Sequence, residues 1–232
     1  MDDKHAPPIP ELDRASALGR FSLLSGATSV LMLIATLRPA PQSAAGQLAY
    51  FASHQGVIAM EAVILLVWAV FSIPFVVALG HILRPKSPAF ALAATLLSAA
   101  GILLLGFAVF AHMGALLSIV AAGGPPNAAD AIYQAAIWGN LGFYLTDPGL
   151  MAWGLGQLLF GWLAWRSQVL PNWVSVAGTI GGVAGLLTLA VYQTPMLALV
   201  QLASFAVWGF ATGILLLRRR GGMRCPPSGD GT

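Results

Sequence analysis

Apolar residues fall into long runs separated by short polar or proline-rich breaks. Such runs predict an all-α integral membrane bundle of six transmembrane helices, since a span needs roughly 20 apolar residues. The first run is Phe21 to Leu37, closed by Arg38, Pro39 and Pro41. The second extends from Gly56 to Leu83, with Glu61 near its start and Pro74 inside it, where a lost backbone hydrogen bond predicts a kink. A tight turn from Arg84 to Pro88 leads into the third, Ala89 to Val120, which ends at Gly123-Gly124-Pro125-Pro126. The stretch from Ala131 to Trp165 is too long for one untilted span. Thr146-Asp147-Pro148 divides it, because Asp favours the N-cap and Pro the first helical position. Pro148 to Trp165 is then the fourth span, and 131–145 is either an outer interfacial helix or a kinked extension. The fifth and sixth spans are 172–192 and 196–217, the last stopped by Arg218, Arg219 and Arg220. Residues 1–20 and 218–232 are expected to be disordered tails. Pro7, Pro8 and Pro10 oppose a regular helix at the start, and the mixed charge there is unlike a signal peptide.

Composition supports lipid as the solvent. Of 232 residues, 58% are hydrophobic and only 8% charged, against about 25% charged in a soluble domain. The formal charge of +3 does not indicate nucleic acid, because the basic residues sit at helix ends rather than in one patch. They set an orientation instead. With both termini cytoplasmic, Lys4, Arg14, Arg20, Arg84, Lys86, Arg166, Arg218, Arg219, Arg220 and Arg224 lie inside and only Arg38 outside. Trp162, Trp165 and Trp173 then form an inner aromatic belt, and Tyr50, Tyr133, Trp138, Tyr144 and Tyr192 an outer one. The lone Cys225 excludes an intrachain disulfide and a multi-cysteine metal site.

Ionisable residues inside spans are few, and such residues are often functional. From a helical rise of about 1.5 Å per residue, Glu61, His112 and Asp147 come out at about 31, 33 and 26 Å above the inner ends. All three are near the outer boundary of the hydrocarbon. Glu61 and His112 form a candidate acid–base pair, since a carboxylate beside an imidazole can move protons. With Asp147 and His54 they form a candidate metal set of mixed nitrogen and oxygen donors. With Asp147 and Asn140 they form a candidate ligand site. The competing reading makes them hydrated interfacial residues, with Asp147 a helix cap. Haem is disfavoured because His81 and His112 lie at opposite depths, and no cofactor is expected. Asn140, Gln157 and Gln201 suit hydrogen bonds between helices, while Trp68, Phe71, Trp153 and Trp208 suit packing.

Three segments carry a family resemblance: Glu61-Ala-Val-Ile-Leu-Leu-Val, Asp147-Pro-Gly-Leu-Met through Arg166-Ser-Gln-Val-Leu-Pro171 to Gly178, and Ala206-Val-Trp208-Gly-Phe. Over residues 15–218 the chain resembles the bacterial six-helix membrane proteins grouped as domain of unknown function 4386. That resemblance implies a bacterial inner-membrane location and no established activity. Members often carry a His-Asp pair before the fourth span, where this chain reads Trp138-Gly-Asn140-Leu-Gly. The leading functional expectation is binding or passage of a hydrophobic or amphipathic small ligand through an outer-facing cavity between helices. The alternatives are an accessory subunit or homo-oligomer docking through Gly178, Gly181, Gly182, Gly185, Gly209 and Gly213, and an enzyme acting on lipid or quinone through Glu61 and His112. Membrane lipids are expected partners; nucleic acid is not.

Overall fold

Among the described residues six long helices each pack mainly against two neighbours, in the cyclic order α1 (Pro10–Thr36), α3 (Gln55–Leu83), α4 (Pro88–Ala121), α5 (Ala129–Ser167), α6 (Asn172–Ala190), α7 (Pro195–Gly222) and back to α1. In this computed structural model the described residues are 10–37, 41, 43–122, 128–190 and 195–222. They form α1 (Pro10–Thr36), α2 (Ala44–Ser53), α3 (Gln55–Leu83), α4 (Pro88–Ala121), α5 (Ala129–Ser167), α6 (Asn172–Ala190) and α7 (Pro195–Gly222), with no strand among them. Four segments are long and apolar enough to cross a membrane: Ala17–Thr36, Gln55–Leu83, Pro88–Ala121 and Met196–Arg218.

The described parts of all six segments read as spans are helical, but several boundaries differ from expectation. Helix α1 already begins at Pro10, so residues 10–20 are helical rather than disordered. A proline in the first turn forfeits an N–H that has no partner there anyway. Helix α7 continues through Arg218–Arg220 to Gly222. Cations near a helix C-terminus are favourable to the macrodipole, so these arginines do not end the helix. Residues 1–9 and 223–232 of the expected tails lie outside the described residues. Helix α5 resolves the 131–145 alternative: it is one helix with Pro148 inside it. Asp147 is therefore not an N-cap. Proline removes a single backbone bond, and close packing on both sides of it holds the turn in place. Thr146 donates its hydroxyl to the Gly142 carbonyl at 2.7 Å in the same region.

Helix α2 was not foreseen. Ser43 caps it by accepting from the Gly46 N–H at 3.1 Å. Its apolar positions Leu48 and Phe51 are buried with Ile58 of α3, Leu116 of α4 and Ala135 of α5. α2 thus covers the end of the ring where α3 and α5 begin and α4 ends.

The centre of the ring is aromatic. Phe205 of α7 meets Trp153 of α5 at 5.0 Å, Phe75 of α3 at 5.3 Å and Trp68 of α3 at 6.3 Å between centroids, all edge-on. Edge-to-face pairs at such distances are favourable beyond area burial. These rings bind across the ring's interior helices that are not sequence neighbours. Small polar groups share this interior. Ser25 and Ser72 hydroxyls lie 3.0 Å apart, and the Trp68 indole donates to Ser29 at 2.9 Å, tying α1 to α3. Large apolar side chains such as Leu96, Leu103, Phe107, Val63 and Leu66 point outward. Polar atoms within and apolar ones outside is the arrangement lipid demands, since helix association there rests on close packing and interhelical hydrogen bonds.

Glycines set the closest approaches. A methyl at Gly209 of α7 would stand 2.7 Å from the backbone N of Gly26 on α1. One at Gly154 of α5 would stand 2.9 Å from the Gly185 Cα on α6. The glycines expected as docking faces are occupied inside the chain: Gly178 by Trp208, Gly181 by Ser204 and Gln157, Gly182 by Leu158, Gly185 by Gln201, Gly209 by Gly26 and Gly213 by Leu23. Their small size serves close packing within the ring.

Candidate functional site

His112 occupies the wall between α4 and α5, under α2. Its ring faces Gly142 and Gly139 on α5: methyls added there would lie 3.1 Å from its Cβ and 3.6 Å from its Cε1, respectively. Phe51 of α2 packs edge-on at 6.4 Å between centroids. The imidazole hydrogen-bonds the Trp138 backbone. Its Nδ1 is enclosed and has no hydrogen-bond partner. Glycine at 139 and 142 gives the ring room to lie flat along α5, and Phe51 closes it from above.

Glu61 sits on the inward face of α3, in register with buried Ile58, Leu65 and Trp68, and is itself half-buried. It shares the height of His112 in the α3–α4 hairpin. Asp147 is half-buried and follows Gly142 by five residues, about 140° around α5 at 100° per residue. It therefore shares the face of Leu150 and Gly154, toward α6 and α7, not the face that meets His112. His54 is exposed, stacked on Tyr50 at 4.5 Å with its Nδ1 2.8 Å from the Ser53 hydroxyl. Asn140 is also exposed, so it bonds no facing helix from a buried position. Among the described residues no group of three or more His, Cys, Asp and Glu is placed to hold a metal ion. His81 lies exposed at the far end of α3 from the His112 level.

A second polar cluster holds Gln157 and Gln201, both expected to hydrogen-bond between helices. Gln201 of α7 does bridge helices, donating to the Leu150 carbonyl of α5 at 3.2 Å. Gln157 does not: neither atom of its buried amide has a partner, and the Trp153 indole N–H and Gln201 Oε1 are likewise unpaired. The signal available in the sequence was an uncharged polar residue in mid-span, which by itself does not separate a bridging amide from an unfilled one. Trp153 and Trp208 pack as expected, with Trp208 donating to the Val174 carbonyl.

A family model described as domain of unknown function (DUF4386) matches residues 21–219. The chain belongs to that family. No curated protein matches the chain, and no solved structure does.

Proposed function

We propose that this DUF4386 member is a six-span protein of a bacterial cytoplasmic membrane that binds an amphipathic small molecule at its outer end, with the molecule's polar head at His112. Two spans beyond the four most apolar come from α5 and α6, which at about 1.5 Å per residue are about 58 and 28 Å long. α5 exceeds a hydrocarbon core of about 30 Å, and α6 comes within about 2 Å of it when upright. Arg20, Arg84, Lys86, Arg166 and Arg218 all belong to the same end of the ring, which the positive-inside rule makes cytoplasmic. The lone Cys225 tests this directly. A membrane-impermeant maleimide applied to intact spheroplasts should leave Cys225 unlabelled until the membrane is permeabilised. Labelling before permeabilisation would place the C-terminus outside and overturn the orientation.

The observation that carries the binding proposal is the unpartnered Nδ1 of His112. An enclosed polar atom without a partner is costly, so such an atom in a native protein calls for an occupant. A neutral imidazole has one donor and one acceptor nitrogen, and we assign the acceptor role to the unpartnered Nδ1. A matching head group donates: an alcohol or a protonated acid. Phe51 and the partly buried Met113 and Leu117 provide apolar surroundings for a tail.

A long-chain alcohol and its methyl ether, titrated against protein in nanodiscs, differ by that one donor. Wild type is expected to favour the alcohol roughly 3- to 10-fold, the worth of one net hydrogen bond. His112→Phe should abolish the preference while retaining binding of both. Equal affinities in wild type would remove the basis for the proposal.

A further inference from the structure

We infer a second binding site, at mid-bundle between α5, α6 and α7, for a neutral group that both donates and accepts hydrogen bonds. Its walls are Trp153, Gln157 and Gln201, which are 2%, 1% and 0% exposed. The Gln201 amide nitrogen is already engaged by Leu150. What remains are two donors, the Trp153 indole N–H and the Gln157 amide nitrogen, and two acceptors, Gln157 Oε1 and Gln201 Oε1.

These groups are gathered by the glycines of one helix. A methyl on Gly181 would lie 3.1 Å from Gln157 Oε1, and one on Gly185 would lie 2.7 Å from Gln201 Nε2. Four residues separate these glycines, so the two amides stand over one stripe of α6, about 6 Å apart along its axis. Trp153 is one turn from Gln157 on the same face of α5. Gln157 precedes the end of α5 at Ser167 by ten residues, about 15 Å, which is the middle of a bilayer.

Bulk water is absent at that depth, so unmet amide and indole groups have no other compensation. Ser98, Ser175 and Thr212 also have unpartnered hydroxyls, but a hydroxyl can rotate to the carbonyl one turn back. A primary amide and an indole cannot. The groups that line it, Gly181, Gly185, Leu150 and the Cβ of Ser204, are uncharged, and Asp147 lies ten residues, about 15 Å, from Gln157 along α5, so a neutral occupant fits best. Two sources fit the required chemistry: internal water, or the hydroxyl, carbonyl or amide of an uncharged organic molecule. This site is independent of the His112 proposal and of any tail-binding region near α2.

The test is radiolytic hydroxyl labelling of the full chain in nanodiscs in oxygen-18 water, read by mass spectrometry. Trp208 is the control, being the same residue type, 0% exposed, with its N–H already bonded to Val174. With bound water, Trp153 takes up label at least tenfold faster than Trp208, and Gln157→Met or Gln201→Met reduces that ratio toward one. With an organic occupant, Trp153 stays unlabelled and a small neutral molecule in the solvent extract of wild type is lost from both variants. Using two separate variants guards against one failing to fold. The inference is overturned if Trp153 labels no faster than Trp208 and no such molecule is found, or if both folded variants leave label and extract unchanged. Neither result bears on the alcohol preference at His112.

Discussion

Replacing Gly101 with alanine is expected to lower the thermal midpoint of the detergent-solubilised protein by roughly 3–10 °C, from about 1–3 kcal/mol of overpacking. The added methyl would meet the Gly149 carbonyl at 2.6 Å and the Trp153 Cβ at 2.7 Å, and would press on the Trp153 backbone nitrogen. Two of these obstacles are backbone, so no rotamer change relieves them and α4 must part from α5. The same substitution at Gly106 or Gly114, on the same helix, meets nothing within 4 Å. There alanine should leave the midpoint level or raise it, since glycine in a helix interior costs about 0.5–1 kcal/mol relative to alanine. Differential scanning fluorimetry of the three variants reads the contrast directly. Equal shifts at all three positions would show that the α4–α5 contact is not this close.

Phe205→Ala should be the most damaging single truncation, at roughly 2–4 kcal/mol. Soluble cores lose about 3–5 kcal/mol for such a change, and part of that transfer term vanishes where the unfolded reference is also in lipid. Phe205 is 0% exposed and touches Trp68, Phe75 and Trp153, so its removal empties the point where α3, α5 and α7 meet. Phe107→Ala, at 63% exposed and facing outward, should cost little. Unfolding in mixed micelles with increasing SDS measures both. A Phe107 effect as large as that of Phe205 would contradict the assignment of inside and outside.

The sequence was most legible where its chemistry is abrupt. Arg84-Pro85-Lys86-Ser87-Pro88 forces a turn, and helices α3 and α4 end and begin there as expected. Thr146-Asp147-Pro148 has a similar local appearance but lies inside α5, because Gly142 and Gly149 on either side of the proline lock that stretch against α4. Tertiary contact overrode a local capping signal. Helix α2 escaped notice because its ten residues are too short for a span and carry only two fully buried apolar side chains. At the candidate site, height was readable and azimuth was not. A fixed rise per residue puts Glu61 and His112 at one level from the sequence alone. Which way each points depends on the neighbour its helix packs against, and that neighbour is set by Gly139 and Gly142 for His112 and by the α3 interior face for Glu61. Asp147 missed the cluster by five residues of rotation. Gln157 and Gln201 were legible as polar and buried, but their unequal hydrogen bonding emerges only from the register of α6 between them.

The cyclic order of helices has a consequence for how the chain is made. Helices α1 and α7 run antiparallel with Gly19 against Leu217 and Gly26 against Phe210, so α1 docks on a helix made more than 150 residues after it. Until α7 is released, α1 waits in the bilayer with its Ser22 and Gly26 seam open, held against α3 by Phe21, Ser25 and Ser29. A nascent chain arrested before residue 195 is thus a ring with a gap, a natural substrate for a membrane chaperone or quality-control protease. The closing helix also brings the start of α1 and the end of α7 to the same end of the ring, so a peptide linking these two helices, with a new opening elsewhere, should yield a circular permutant that assembles in a different order.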